Sequence, residues 1–335
     1  QGTTNPWGHD WDARGELFFI NTVNGHLWHS IPGAHYTRPH TVDANPHSYM
    51  MIDQHADHYH WDTAKDWTDS RSASGEHGRL GGGHAHSGVM IYQGTQWPAA
   101  DRGKLFTLNF HGRRANVERL ERFGAGFVGK HEPDRFFSPD PTFRGIDLTA
   151  GPDGGVYVLD WSDAGECHDS TGVVRTSGRI FKITYGKPAP ARPIDLTKAS
   201  TLELVGMLAS QDGWRSRMAR LQLIDRAVRG EETDHVNALL TAATAKPEMR
   251  LQAFWTLAGI GRLHRSGLLD SMILTDDEAV RVWGIRLLTD AWPLDTAVGN
   301  RPKGVIKPAD HVLAEGMIKP ADDVEAESIR DRFIR

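Results

Sequence analysis

The 335-residue sequence has a single cysteine, no long apolar run and no excess of basic residues. Cys167 alone cannot form a disulfide within the chain, and it excludes a CxxCH haem site and a cysteine-rich zinc site. No run approaches the ~18 apolar residues of a transmembrane helix. The 38 Lys+Arg stand against 43 Asp+Glu, so the chain lacks the positive charge that nucleic-acid binding requires.

The sequence also lacks an initiator methionine and an apolar signal segment, since it opens with the polar run Gln1-Gly2-Thr3-Thr4. We therefore expect a fragment or a processed chain.

Histidine and glycine are abundant but unevenly placed. Of 18 histidines, 14 lie in residues 1–135, and 25 of 35 glycines lie before residue 187. Residues 1–186 carry 17 Lys+Arg and 22 Asp+Glu, whereas residues 187–335 carry 21 of each. This asymmetry predicts two domains, with a Pro-rich linker over 187–198 between them.

The first region has the pattern of β-strands. Short runs rich in aromatic and β-branched residues, bounded by turn residues, predict strands at 16–20, 26–31, 88–92, 104–110, 156–161 and 179–185. Residues 8–20 resemble residues 145–160, and a middle copy begins near residue 86. This repeat predicts three propeller blades, with 34–83 as a long insertion.

The second region, 199–335, has a helical period. Apolar residues recur one, four and seven places after Arg217, Arg250 and Arg281, which are spaced 33 and 31 residues apart. This spacing predicts the same buried helical face three times, formed by Met218/Leu221/Ile224, Leu251/Phe254/Leu257 and Val282/Ile285/Leu288. Paired helices at this spacing predict a HEAT-like solenoid, and an irregular helical bundle is the alternative. We expect the three arginines to be structural, bridging to an acidic residue or to a helix C-terminus in the adjacent repeat.

Polar clusters fall where the repeat begins each innermost strand, at 9–10, 84–87 and 144–147. In a propeller these strands line the central channel, so the clusters predict an anion- or metal-binding mouth. His84 and His86 alternate and would share one face of a strand, where they could bind a metal or supply a general base. The alternative is that they cap the strand.

Three further features leave two interpretations open. Arg113 could hold a carboxylate, or it could pair with Glu118 or Glu121. The acidic run at 160–169 could bind Ca²⁺, or it could be a loop tied by Asp turns. The histidine-rich stretch 34–83, in which His58 and His60 alternate, could bind sugar or metal, or it could be a polar-packed insertion.

The sequence resembles the "membrane-bound dehydrogenase" proteins of planctomycetes and verrucomicrobia. The matching stretches cover most of residues 5–186 and include NPWGHDWDARGELFF, GGGHAHSGVMIYQGTQWP, FRGIDLTAGPDGGVYVLDWSDAGECHD and RTSGRIFKITYG. The resemblance implies the C-terminal part of a six-bladed β-propeller, similar to soluble quinoprotein glucose and sorbosone dehydrogenases, followed by HEAT/armadillo-like repeats. Such a propeller needs roughly 250–300 residues, so we expect the early blades to be missing.

The resemblance also implies an activity, a quinone-dependent dehydrogenation of sugars or alcohols. It implies pyrroloquinoline quinone and Ca²⁺ as cofactors, a cytochrome c domain or protein as electron acceptor, and a periplasmic or cell-surface location. The alternative is a non-catalytic carbohydrate- or protein-binding module of an exported complex. For this activity we expect His86 and Arg144 to be the catalytic residues. We expect the cofactor to be bound by His9, Asp10, His84, Arg113 and Asp147. In the family an early blade supplies the proton-abstracting histidine, which we expect to lie outside this chain.

Overall fold

The computed structural model describes residues 3–23, 25–38, 51–60, 71, 74–165, 169–174, 176–188, 194–231, 233–263 and 267–289. The chain forms two compact units. The first comprises Gln1–Ile194 with Gln211–Trp214, and the second comprises Asp195–Ser210 with the described residues of Arg215–Arg335.

Three antiparallel sheets form the first unit. The first sheet has the order β1-β2-β3, the second β4-β5-β6-β7 and the third β10-β9-β8. A short helix, α1 (Gly75–Arg79), precedes the second sheet. The strands are β1 (Pro6–Trp11), β2 (Leu17–Asn21), β3 (Leu27–His29), β4 (His86–Ile91), β5 (Leu105–Asn109), β6 (Arg114–Phe123), β7 (Gly126–Arg135), β8 (Gly145–Ala150), β9 (Val156–Asp160) and β10 (Arg179–Ile183).

The middle sheet is buried on both faces because side chains alternate along its strands. On β4, Val89 and Ile91 pack with Phe18 and Ile20 of the first sheet. Met90, between them, packs in a separate cluster that includes residues of the third sheet. A continuous apolar run such as 88–92 therefore marks a strand covered on two sides.

The first strands of the three sheets lie against one another. The backbone amide of Ile91 on β4 donates to Asp10 Oδ2 on β1 at 2.8 Å. Ser87 Oγ on β4 donates to the carbonyl oxygen of Gly145 on β8 at 2.9 Å. Gly88 has φ +62°, and a Cβ there would lie 2.7 Å from the Cα of Asp147, so the close approach of β4 to β8 requires glycine.

Strands occur at all six predicted runs, which confirms those predictions, and the repeat is visible in their irregularities. Each first strand carries one register shift against its second strand, between Pro6 and His9, between Ser87 and Val89, and between Gly145 and Asp147. The sequence did not predict β7. This strand lies at the edge of its sheet, where Pro133 and charged side chains are tolerated.

The described residues of the second unit form six helices. They are α2 (Thr201–Met207), α3 (Gly213–Val228), α4 (Thr233–Ala243), α5 (Pro247–Gly259), α6 (Leu268–Ile273) and α7 (Glu278–Thr289). The first two residues of α3, Gly213 and Trp214, belong to the first unit. Helix α2 begins with a capping box, in which Ser200 Oγ accepts from the Glu203 amide and Glu203 accepts from the Ser200 amide.

Two of the repeating arginines make the same contact. Arg250 donates to the carbonyl oxygen of Thr244, just after α4, and Arg281 donates to that of Thr275, just after α6. Each arginine therefore ties its helix to the C-terminal end of the preceding helix. The prediction placed this contact in the adjacent repeat, whereas the observed contact lies within one pair of helices.

The predicted buried face is wrong in two of the three helices. Leu221 in α3 and Ile285 in α7 are 53% and 37% exposed, whereas Ala219 and Gly284 are buried. The helices turn their small residues inward because these allow close packing; a Cβ on Gly284 would lie 2.9 Å from the Met272 Cβ. In α5 the predicted Phe254 and Leu257 are buried. No helix in the described ranges is long and apolar enough to span a bilayer.

Candidate metal centre

The predicted site residues at the first strands differ in accessibility. His9 is exposed on β1, where its ring meets that of Trp11 edge-on at 5.0 Å. Asp10 bridges β1 to β4 as described above, and its Oδ1 accepts from the Trp11 amide. Asp147 is exposed on β8, and its Oδ1 accepts from the Leu148 amide, which reproduces the Asp10 turn in the repeat. Their cofactor-binding roles stay predictions.

The two predicted arginines lie in different settings. Arg144 is 4% exposed, and its guanidinium donates to the carbonyl oxygens of Phe143, Pro141, Gly165 and Ala164. These hydrogen bonds fix the surrounding loops. The guanidinium is therefore not available to bind the carboxylate of a cofactor. Arg113 is half-buried at the turn between β5 and β6, with φ +51°.

Glu118 and Glu121, the carboxylates considered as partners of Arg113, are engaged elsewhere. Glu118 faces histidines, and Glu121 pairs with Arg119. The acidic run at 160–169 behaves mainly as a tied loop in its described part. Asp160 accepts from the Arg144 and Ser162 amides and pairs with Arg179, and Asp163 accepts from the Gly165 amide. Residues 166–168, with Cys167, lie outside the described residues.

His84 and His86 are buried, 3% and 1% exposed. The His86 ring stacks on His26 with a centroid distance of 4.8 Å and meets His60 at 4.2 Å. A general base that must contact substrate needs more access than this. The structure instead places His86 at the margin of a buried histidine cluster.

Glu118 on β6 lies at the centre of that cluster. Its side chain is fully buried, and Oε1 faces three imidazole nitrogens: His26 Nε2 at 3.3 Å, His58 Nε2 at 3.6 Å and His131 Nδ1 at 3.6 Å. The two longer separations exceed a direct hydrogen bond. His58 Nε2 and His131 Nδ1 are both buried without a hydrogen-bond partner.

The cluster is assembled from three parts of the first unit. His26 lies in the turn before β3, His58 and His60 lie in the 51–60 segment, and Glu118 and His131 come from the paired strands β6 and β7. Glu118 lies opposite His131 in the β6–β7 register, which places their side chains on one face.

Polar contacts outside the cluster orient the rings. His58 Nδ1 lies 3.0 Å from Asp57 Oδ1, and Asp57 is in turn 3.2 Å from Lys130 Nζ. His60 Nδ1 lies 3.4 Å from the carbonyl oxygen of Gly82. Each contact assigns the proton to Nδ1 and leaves an Nε2 lone pair, which is buried and unpartnered on both rings.

Burial and neighbouring charge set the protonation of these groups. Burial lowers the pKa of His58 to about 4, and His26 acts in the same direction. Burial also holds the pKa of His60 well below its usual range. Burial alone would raise the pKa of Glu118, but His131 and His26 outweigh it and lower that pKa to about 2. Burial opposes protonation of His131 too, but Glu118 outweighs it and raises the His131 pKa.

Two overlapping groups of ligand atoms in the described residues can hold a metal ion. They are His26, His58 and His60, and His58, Glu118 and His131, with the atoms of each group within 4.8 Å of one another. Neutral imidazoles around a carboxylate suit zinc, copper, iron or nickel better than calcium or magnesium. Sequence reasoning flagged His58 and His60, but it did not single out His26, Glu118 or His131 as ligands.

A sequence model described as "Domain of unknown function (DUF7133)" matches residues 1–184, which is 184 of 335 residues. The chain belongs to the DUF7133 family. The DUF7133 match includes all five residues of the two ligand groups: His26, His58, His60, Glu118 and His131. A search of curated proteins finds no match.

Solved structures similar to the DUF7133 chain include two sugar-oxidising enzymes. One is a glucose dehydrogenase, with TM-score 0.34, 18% identity, and coverage of 55% of this chain and 46% of that chain. The other is the soluble aldose sugar dehydrogenase from Escherichia coli in its apo-form, with TM-score 0.33, 18% identity, and coverage of 54% and 45%. The match thus spans less than half the length of either protein, and likeness at this level does not transfer an activity.

Proposed function

We propose that the DUF7133 domain of this chain binds one divalent transition-metal ion between His58, Glu118 and His131, with His26 beside them. The observation that carries the proposal is the buried Glu118 Oε1 surrounded by three imidazole nitrogens at 3.3, 3.6 and 3.6 Å.

The ligand atoms of His58, Glu118 and His131 all lie within 4.8 Å of one another, so a small movement brings them onto one ion. In a tetrahedral site with metal–ligand bonds of about 2.0–2.1 Å, neighbouring ligand atoms lie about 3.3–3.4 Å apart. A set of simple hydrogen bonds fits less well, because it leaves His58 Nε2 and His131 Nδ1 buried and unpaired. His60 Nε2, also unpaired, supplies a fifth donor nearby.

Metal content tests this proposal directly. Chain stripped with a chelator should bind one equivalent of Zn²⁺ with a dissociation constant below about 1 μM, measured by titration calorimetry and elemental analysis. Ca²⁺ and Mg²⁺ serve as control ions and should bind far more weakly, because imidazole is a poor ligand for them. Zinc binding no tighter than that of Ca²⁺ would refute the proposal.

A second candidate is a quinone-dependent dehydrogenase of sugars or alcohols, with pyrroloquinoline quinone and Ca²⁺. Its support is the sequence resemblance over most of residues 5–186, together with three sheets that meet along their first strands, as propeller blades do. Of the predicted contacts, His9 and Asp147 are exposed and Arg113 is half-buried, so these can reach a cofactor. His86 and Arg144 are too buried for this, and no step is derived for them.

Activity and binding measurements separate this candidate from a carbohydrate- or protein-binding module. If the dehydrogenase proposal holds, adding the quinone and Ca²⁺ to the full-length protein should give sugar-dependent reduction of a dye, and calorimetry should show quinone binding. A His9→Ala, Asp147→Asn double variant should bind the quinone several-fold more weakly. Absence of quinone binding by calorimetry would eliminate the candidate, and glycan-array binding without redox activity would favour the module.

The larger context of the domain is part of the same proposal. We propose that the three sheets are blades of an incomplete six-bladed propeller and that α2–α7 are HEAT-type repeats. The family resemblance further supports a periplasmic or cell-surface location and a cytochrome c partner.

A further inference from the structure

The 51–60 segment lies between two different sheets of the first unit. The His55 amide donates to the carbonyl oxygen of Leu27 on β3 at 2.8 Å. On the other side, the Gly129 amide on β7 donates to the His55 carbonyl at 2.7 Å, and the Asp57 amide donates to the Gly129 carbonyl at 3.0 Å. The segment therefore bridges β3 and β7 by backbone hydrogen bonds.

The strands come close enough for this bridge because residue 129 is glycine. A Cβ on Gly129 would lie 2.3 Å from Leu27 Cδ2, so a larger residue there would require the buried Leu27 side chain to move. Two strands from separate sheets thus meet at the segment, and His58 projects from it towards Glu118.

The proposed ligands, with His26 beside them, come from all three of these elements. His26 belongs to the turn before β3, His58 to the segment, and Glu118 and His131 to the β6–β7 pair. An ion held by His58, Glu118 and His131 would join the segment to the β6–β7 pair, and His26 Nε2, 3.3 Å from Glu118 Oε1, links this group to the β3 side.

The cluster has the character of a closed centre. The side chains of Glu118 and His26 are 0% and 2% exposed, and those of His58 and His131 are 9% and 19% exposed. Sites with four protein ligands and no open position are structural, whereas catalytic zinc sites keep a position for water or substrate. His58, Glu118 and His131 supply three ligands, and the buried His26 is a fourth donor beside them, so the protein itself can close the site.

Without the ion, docking the 51–60 segment between β3 and β7 carries a free-energy penalty. Docking then buries the Nε2 atoms of His58 and His60 and Nδ1 of His131 without hydrogen-bond partners. An ion removes this penalty for the ligating nitrogens, because it takes their lone pairs directly.

From these contacts we infer that the metal centre is a structural cross-link, and that metal binding and docking of the 51–60 segment between β3 and β7 are one coupled event. This inference rests on the proposed metal site and assigns its role. The ion class that suits it is a redox-inert, tetrahedral ion such as Zn²⁺.

Hydrogen exchange of the whole chain tests the coupling. On adding Zn²⁺ to chelator-treated protein, the amides of His55, Asp57 and Gly129 should exchange about tenfold more slowly or better, because each donates a backbone hydrogen bond at the bridge. Amides within α3–α5 are the internal control and should exchange at an unchanged rate.

A His58→Ala variant should lose this zinc-dependent protection, whereas His9→Ala, which removes an exposed histidine of β1, should retain it. The two levels of the proposal fail separately. Tight zinc binding without slower exchange at the bridge would overturn the cross-link and leave the metal site standing. If zinc does not bind at all, the metal site itself is refuted and the cross-link falls with it.

Discussion

Replacing Glu118 with glutamine should weaken zinc binding by at least about a hundredfold, because loss of even an indirect partner of a metal ligand costs 10–100-fold and Glu118 is proposed as a ligand itself. Its Oε1 lies nearest to all three imidazoles, and its carboxylate supplies the negative charge of the centre. Glutamine keeps the shape of the side chain but removes that charge. Calorimetric titration of the chelator-treated variant with Zn²⁺ measures the effect.

Glu121→Gln is the matched control, since Glu121 lies on the same strand, is only half-buried, and pairs with Arg119. It should bind zinc as the unmodified chain does. If Glu118→Gln fails to fold, as circular dichroism would show, His58→Ala removes a ligand from the segment instead and should cause a comparable loss. Unchanged affinity in a folded variant of either kind would contradict the proposed ligand set.

Strand positions were predictable because local patterns determine them. The runs that became β2, β5 and β9 combine apolar and β-branched residues between turn residues, and each lies at the predicted place. Helix α7 shows the limit of such patterns. Its apolar spacing predicts a helix, but which side faces inward depends on whether a neighbour can approach Gly284, and that is a property of the packed unit.

The candidate centre was predictable only in part. The histidine excess and the alternation of His58 and His60 are visible in the sequence, and they led to a metal-binding alternative for the 34–83 stretch. Nothing in the sequence indicates that Glu118 is a ligand, because it is one of several charged residues in strand β6. Its role depends on His26, which lies 92 residues away and is brought into contact by the packing of the first sheet against the second.

Asn109 should be the most costly polar residue to remove near this cluster. Its side chain is 1% exposed, and Nδ2 donates to the carbonyl oxygens of Gly82 and Gly83 at 2.9 and 2.8 Å, while Oδ1 accepts from the Gly112 amide at 2.9 Å. Asn109→Ala leaves the Gly83 carbonyl and the Gly112 amide without this partner at about 1–3 kcal/mol each, while the Gly82 carbonyl keeps its contact with His60 Nδ1, so we expect a loss of about 2 kcal/mol or more in the free energy of unfolding.

Because the chain has two compact units, the unfolding of the first unit must be measured separately. Urea denaturation, monitored by hydrogen exchange at the amides of β4 and β5, gives the loss of stability in that unit alone. Asn5→Ala is the control, since Asn5 is exposed, and it should change stability by less than about 0.5 kcal/mol. The side chain of Asn116 also contacts the glycine-rich loop 81–83, since its Nδ2 donates to the Gly81 carbonyl. A Cβ on Gly81 would lie 2.2 Å from that Nδ2, so this close contact requires glycine. A loss in Asn109→Ala no greater than in Asn5→Ala would mean that water takes over these hydrogen bonds, and that the loop beside His84 and His86 is held by packing alone.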